Sequence, residues 1–226
     1  MKRLEPSQNE HFVDLIPVNP AIERYMQELI ENKSQHVLVE MEALAKQKNF
    51  PIVGRLVGMS LEVLAKMVNA KRVFEFGSGY GYSAYWFARA VGSNGQVICS
   101  DSKLANKEQA EGFLSSVDLW RRITFCIGHA QEIFSQTEGF FDICYNDVDK
   151  NEYPSVWKLA KEKIKPGGLY IADNVLWHGK VIARNNIDEW TQAILEHNQM
   201  IFDDPEFDAF INPTRDGVMV ARRKVA

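Results

Sequence analysis

Cysteine is scarce in this 226-residue chain. The three present, Cys99, Cys126 and Cys144, sit in separate apolar runs, QVICS, ITFCIG and FDICYND. That spread suits small buried hydrophobes and excludes a disulfide framework or a thiolate metal site. No apolar run is long enough to span a bilayer, and no N-terminal signal pattern is present. These absences lead us to expect a cytoplasmic protein with no membrane partner. An excess of one charge is missing too: 26 Lys and Arg against 30 Asp and Glu leave −4. The balance gives no electrostatic reason to expect a nucleic acid as partner. Basic clusters such as Lys2-Arg3, Arg121-Arg122 and Arg222 to Lys224 are short and read as solvated faces. Repeats, low-complexity tracts and Gly/Ser linkers are lacking. We expect one domain over residues 1–226, with a helical N-terminal cap over 1–70 and an α/β core over 71–226.

What is there is an alternation. KRVFEF, QVICSD, ITFCIG, FDICYND and GGLYIAD are β-type runs. Between them lie helical stretches: SAYWFARAV, about Ala105 to Val117, Ala130 to Phe134, and Tyr153 to Ile164. Another helix is expected from Ile187 to Met200. The pattern predicts βαβ units and a mostly parallel sheet with helices on both faces. FDAFINP and GVMVARRK, joined by the polar link Thr214 to Asp216, break the rhythm and predict an antiparallel pair at one end. Ahead of Lys71 the helical patterns are Ala21 to Asn32, Val37 to Lys48 and Gly58 to Val68. NFPIVG interrupts them, Pro51 forcing an extended entry. These helices are expected to roof the crevice of the sheet.

The first strand runs into FEFGSGYGYSA, where Gly77, Gly79 and Gly81 permit a tight turn and close approach to a ligand. Open α/β sheets bind ligands at such strand ends. A nicotinamide fingerprint needs glycine where Tyr82 stands, which leaves a dehydrogenase as the runner-up chemistry. Glu75, just before the turn, would oppose a pyrophosphate and suits a cationic or sugar-bearing ligand. Asp101, about twenty residues on, is placed to accept ribose hydroxyls. His129 and Ala130 follow the third strand, beside the base. The crevice reads as a nucleoside site without a phosphate contact.

Two further strand ends carry oxygen ligands. YNDVDK supplies Asp147, Asp149 and Lys150, and the next strand ends in Asp173-Asn174. Neighbouring parallel strands lie about 5 Å apart, so Asp147 and the Asp173-Asn174 pair can converge on one point. Two carboxylates and an amide oxygen suit Mg²⁺, or Ca²⁺ or Mn²⁺.

The turn from Glu75 to Ser83, FD…D-x-D-K-x-x-Y (Phe141 to Tyr153), KPGG with DNVLW-x-G-x-V (Lys165 to Val181) and P-x-x-D-G (Pro213 to Gly217) together carry a resemblance. Over about Phe50 to Lys224 the chain resembles the cation-dependent, S-adenosylmethionine-dependent O-methyltransferases. These include catechol and caffeoyl-CoA O-methyltransferases and a bacterial branch acting on the wobble 5-hydroxyuridine of tRNA. The resemblance implies the class I methyltransferase Rossmann-like sheet and a homodimer. It implies S-adenosyl-L-methionine as cofactor, contacted by Glu75, Gly77, Ser83, Asp101, His129, Ala130 and Asp147, with Val53 at the methionine end. It also implies Asp147, Asp173 and Asn174 as metal ligands, and Lys150 as general base acting with Asp147. The expected partner is a small hydroxylated aromatic, with Trp177, Tyr153 or Trp157 against the ring. tRNA is the alternative, with EALAKQKNFPIVG resembling that branch and Lys2, Arg3 and Arg215 meeting phosphate. A non-catalytic S-adenosylmethionine-binding protein is the third reading. Four positions depart from the family pattern: Asn146, where a hydrophobic residue is common; His129, where an acid is; Arg215, where glycine is; and His178, where a small residue is. They bear on cofactor and substrate recognition.

Overall fold

The computed structural model describes residues 18–31, 35–183 and 187–225. Lys2 and Arg3, expected to meet phosphate, lie outside them. Five strands run parallel: β1 (Arg72–Phe76), β2 (Gln96–Asp101), β3 (Ile123–Ile127), β4 (Phe141–Asn146) and β5 (Ile164–Ala172). β6 (Phe207–Asn212) and β7 (Val218–Arg223) complete a seven-stranded sheet in the order β3-β2-β1-β4-β5-β7-β6. β7 is antiparallel to both β5 and β6, the expected antiparallel pair. This is the class I methyltransferase arrangement.

Side chains alternate across the sheet, as a pleated strand demands. Val73, Ile143 and Tyr145 enter one core with α2 (His36–Lys48), α3 (Gly54–Met67), α4 (Tyr82–Val91) and α5 (Leu104–Ser115). Phe74, Phe76, Cys144 and Tyr170 enter the other, with α6 (Ala130–Gln136), α7 (Tyr153–Ala160) and α8 (Glu189–Phe202). Both faces are therefore dry, which is why the strands read as continuous apolar runs. α1 (Pro20–Glu31) packs on α3. Among the described residues no helix is long and apolar enough to cross a membrane.

Two boundaries differ from the sequence reading by about a turn. α3 starts at Gly54, a turn ahead of Gly58. Gly58 sits inside the helix because Trp86 of α4 lies against it; a Cβ there would come 2.1 Å from Trp86 Nε1. α7 stops at Ala160, and Ile164 opens β5 rather than ending a helix. Ile164 is fully buried and pairs with Phe141, and the register then shifts before Ile143.

The strand ends are level along one edge. Asp147 N donates to Phe76 O at 2.9 Å and Asp173 N to Asn146 O at 3.1 Å. Ser78 N donates to Ser100 O at 2.8 Å and Gly128 N to Asp101 O at 3.0 Å. Each ladder thus runs one or two residues past its strand and delivers the residues that follow to a common rim.

Candidate functional site

Along that rim lies a cavity of about 1330 Å³. Gly77, Ser83, Asp101, His129, Ala130, Asp147, Asp173, Asn174 and Val53 all line it. The glycine turn forms its floor. Gly77 has φ +80, and a Cβ there would lie 2.6 Å from the Asp147 carbonyl, so only glycine lets the two strand exits meet. α4 begins right after Gly81, presenting its unpaired N–H groups to the cavity.

Glu75 does not line the cavity. It is fully buried beneath the turn, where Ser83 Oγ donates to Oε1 and Cys99 Sγ to Oε2 at 3.4 Å. Burial pushes its carboxyl up to about 7. Asp101 is held by Lys103 N at 2.8 Å and Asn106 Nδ2 at 3.0 Å, both on Oδ1. At the far end His129 Nε2 lies 3.0 Å from Glu152 Oε2, which also accepts from Gln131 Nε2 at 2.7 Å. The cap is tied to the turn through Glu42 of α2. Its carboxylate accepts from Tyr82 Oη at 2.8 Å and from Arg55 Nε and Nη2 at 2.7 Å each.

The acidic end is built on β4 and β5. Asp173 is 5% exposed, while Asp147 keeps 28% of its side chain open to the cavity. Burial raises both carboxyls; their mutual repulsion adds to the rise at Asp173, and Lys150 opposes it at both. Lys150 is buried and donates from Nζ to Asp147 Oδ1 at 3.2 Å, Val148 O at 3.4 Å and Tyr153 Oη at 2.7 Å. Tyr153 Oη in turn donates to the Asp173 carbonyl at 2.8 Å. One chain of hydrogen bonds therefore spans both acidic strand ends. Asp173 Oδ1 is buried without a protein partner, a costly state for a carboxylate unless a cation meets it. Among the described residues no three His, Cys, Asp or Glu side chains gather as a metal set; beside the two acids the cavity is lined by Asn174. The all-oxygen donors and the orphaned Oδ1 fit a hard divalent ion.

Behind this end runs a buried network that explains Asn146. Its Nδ2 donates to Tyr170 Oη at 2.9 Å, which lies 2.9 Å from His197 Nε2. His197 Nδ1 sits 3.1 Å from Asn198 Oδ1, and Asn198 Nδ2 donates to Val175 O at 2.8 Å. His197 is pushed down to about 4 by burial, so it is neutral near pH 7. The C-terminal hairpin closes the same turn: Val175 N donates to Gly217 O at 3.1 Å and Leu176 N to Asp216 O at 2.9 Å.

Of the aromatics expected against a ring, only Trp177 lines the cavity. Trp157 is in the core, packed edge-on against Tyr170 and Phe207, and buried Tyr153 serves the Lys150 network. Trp190 joins the cavity wall, its ring 5.9 Å from Trp177. Sequence reasoning missed it, since an aromatic in the first turn of a helix looks like core. Asp216 was also missed as a site residue, although it stands in the P-x-x-D-G run. It lines the cavity, accepts from His178 N, and has Oδ2 buried without a hydrogen-bond partner, 3.8 Å from His178 Nε2. The first acid of the FD signature, Asp142, belongs elsewhere. At the opposite end of the sheet it accepts from Lys71 N and Arg72 N, 2.8 Å each.

The family model that matches, over residues 19–224, is described as O-methyltransferase. Among curated proteins, caffeoyl-CoA O-methyltransferase 1 of Eucalyptus globulus is 31% identical over 177 residues, covering 74% of this chain and 72% of that protein. Catechol O-methyltransferase of Niastella koreensis is 29% identical, covering 84% and 89%. Among solved structures, an O-methyltransferase from Bacillus cereus in complex with SAH superposes with a TM-score of 0.82 at 25% identity. That match covers 90% of this chain and 97% of the other.

Proposed function

This chain belongs to the O-methyltransferase family, as an S-adenosylmethionine-dependent enzyme, and on that premise we propose that it methylates a catechol-like small molecule with a divalent metal bound. The observation that carries the reading is the pairing of Asp147 with Asp173 on adjacent strand ends, one oxygen buried and unpartnered, beside the glycine turn.

Gly77, Ser83, Asp101, His129, Ala130 and Val53 would seat the cofactor, whose sulfonium methyl is the group transferred. Glu75 acts from below, holding the Ser83 hydroxyl. Asp147, Asp173 and Asn174 would hold magnesium, manganese or calcium, which when bound stabilises a developing oxyanion as a Lewis acid. Lys150 Nζ, held at the acidic end by Tyr153 and Asp147, would take the acceptor hydroxyl's proton after giving up one of its own. Trp177 and Trp190 offer the ring a wall. The α1 residues Ile22, Tyr25 and Leu29 are exposed at spacings that share one helix face, which supports a homodimer. The free thiols Cys99, Cys126 and Cys144 support a cytoplasmic setting.

The test offers a labelled methyl donor to catechol and to tRNA lacking the modification, with Mg²⁺ and with chelator. Label in catechol, abolished by chelator, is expected. Label confined to tRNA would transfer the site to a hydroxyuridine, and chelator-insensitive labelling would remove the metal.

A further inference from the structure

Arg215 stands in the turn between β6 and β7, with a left-handed backbone, φ +53. Glycine adopts that conformation freely, whereas a long side chain does so at a cost that persists where surroundings impose it. The side chain reaches across to the N-terminal cap. Nη1 donates to the Ile52 carbonyl at 3.1 Å, and a Cβ on Gly54 would come 2.3 Å from Nη1. Gly54 thus leaves the room in which the guanidinium lies. Arg215 lines the same cavity as Asp147, Asp173, Asn174, Trp177 and Trp190.

Among the described residues this is its one hydrogen bond, and no carboxylate stands within ion-pair distance of it. Its charge is nevertheless felt at Asp147, Asp173 and Asp216. Anchorage on Ile52 keeps the cation from collapsing onto those acids. A guanidinium carries five N–H donors in a planar fork matched to a carboxylate, and here most of the fork is unspent.

We propose that Arg215 binds an anionic substituent of the acceptor, so that the methylated molecule is a dihydroxylated ring bearing a carboxylate. The inference rests on the catechol reading and narrows it. Hydroxyls go to the Asp147, Asp173 and Asn174 end, the ring to Trp177 and Trp190, and the carboxylate to Arg215. A phosphodiester offers the fork the same chemistry. The carboxylate is favoured because the net charge is −4 and Asp147, Asp149, Glu152, Asp173 and Asp216 line the cavity, which opposes the approach of a polyanion more than that of a single charge.

The test measures kcat/KM for 3,4-dihydroxybenzoate and for uncharged catechol in the wild type, Arg215→Gly and Arg215→Lys, with Tm as the check on folding. Glycine suits φ +53, so this variant should fold. The ratio of the two kcat/KM values should favour the carboxylate in the wild type and fall about 10- to 100-fold in Arg215→Gly, the worth of a charge-assisted hydrogen bond. Arg215→Lys, which keeps the charge and loses the fork, should fall in between. It decides the matter should the glycine variant unfold. An unchanged ratio overturns the proposal, as does a loss confined to cofactor affinity. Methylation of tRNA alone, with a salt dependence that Arg215→Gly reduces, overturns it in favour of a phosphodiester. If the wild type methylates catechol but shows no carboxylate preference, only this inference fails. If it methylates neither, the catechol reading fails with it.

Discussion

Glu75→Gln should make the protein more stable at neutral pH, by an amount that depends on pH in a definite direction. The wild-type carboxyl titrates near 7 in the fold against 4.5 for an ordinary glutamate. A raised acid is held in its protonated form by the fold. Its favourable contribution is therefore complete below about pH 4.5 and is lost as pH climbs through 7. At 1.36 kcal/mol per pH unit, the gap from 4.5 to about 7 amounts to about 3 kcal/mol. Glutamine keeps the shape without titrating. The check is urea unfolding of metal-free, cofactor-free wild type and variant from about pH 4.5 to about pH 8, taking the difference in unfolding free energy at each pH. Other acids cancel in that difference. It should grow by about 3 kcal/mol in the variant's favour across the range. A flat difference would mean that Glu75 is ionised at no cost, and that its burial beneath the glycine turn has been misjudged.

Tyr153→Phe removes the hydroxyl between Lys150 and the Asp173 carbonyl. It should cost about 1–3 kcal/mol in urea unfolding and lower kcat by about tenfold or more; normal values for both would refute the bridging role. Asp147→Ala should reduce turnover more than Lys150→Met, whose loss should be about 10²-fold. Titration calorimetry with Mn²⁺ should show binding abolished in the former alone, and the reverse order would exchange their roles. Gly58→Ala pushes a methyl into the Trp86 ring and should lower stability by about 1–3 kcal/mol in thermal unfolding. An unchanged Tm would show that α3 and α4 can separate freely.

The sheet was legible because its signal is local and repeated. Strands buried on both faces write long apolar runs, and Asp101, His129, Asp147 and Asp173, which interrupt or follow the ends of those runs, stand on the rim. Asp147, Asp173 and Asn174 could be paired from sequence because adjacent parallel strands leave little freedom of placement. Glu75 shows the limit of that logic. An acid before a glycine turn reads as facing a ligand, yet the pleat sends it under the turn, where Ser83 and Cys99 hold it. The helical pattern read from Gly58 in fact begins at Gly54, and a tryptophan twenty-eight positions on accounts for glycine at 58 in the helix interior. Trp190 and the Asn146–Tyr170–His197–Asn198 network depend on contacts between distant elements, for which no periodicity exists.

The hairpin of β6 and β7 has an implication for how the enzyme comes into being on the ribosome. β7 wedges between β5 and β6, and the carbonyls of Asp216 and Gly217 clasp the turn that follows Asp173 and Asn174. A nascent chain emerging through α8 would hold the glycine turn and both acidic strand ends with that clasp still missing. Competence to act therefore arrives only once β7 has been translated, and a message cut short before it would yield a protein whose acidic end has never been closed.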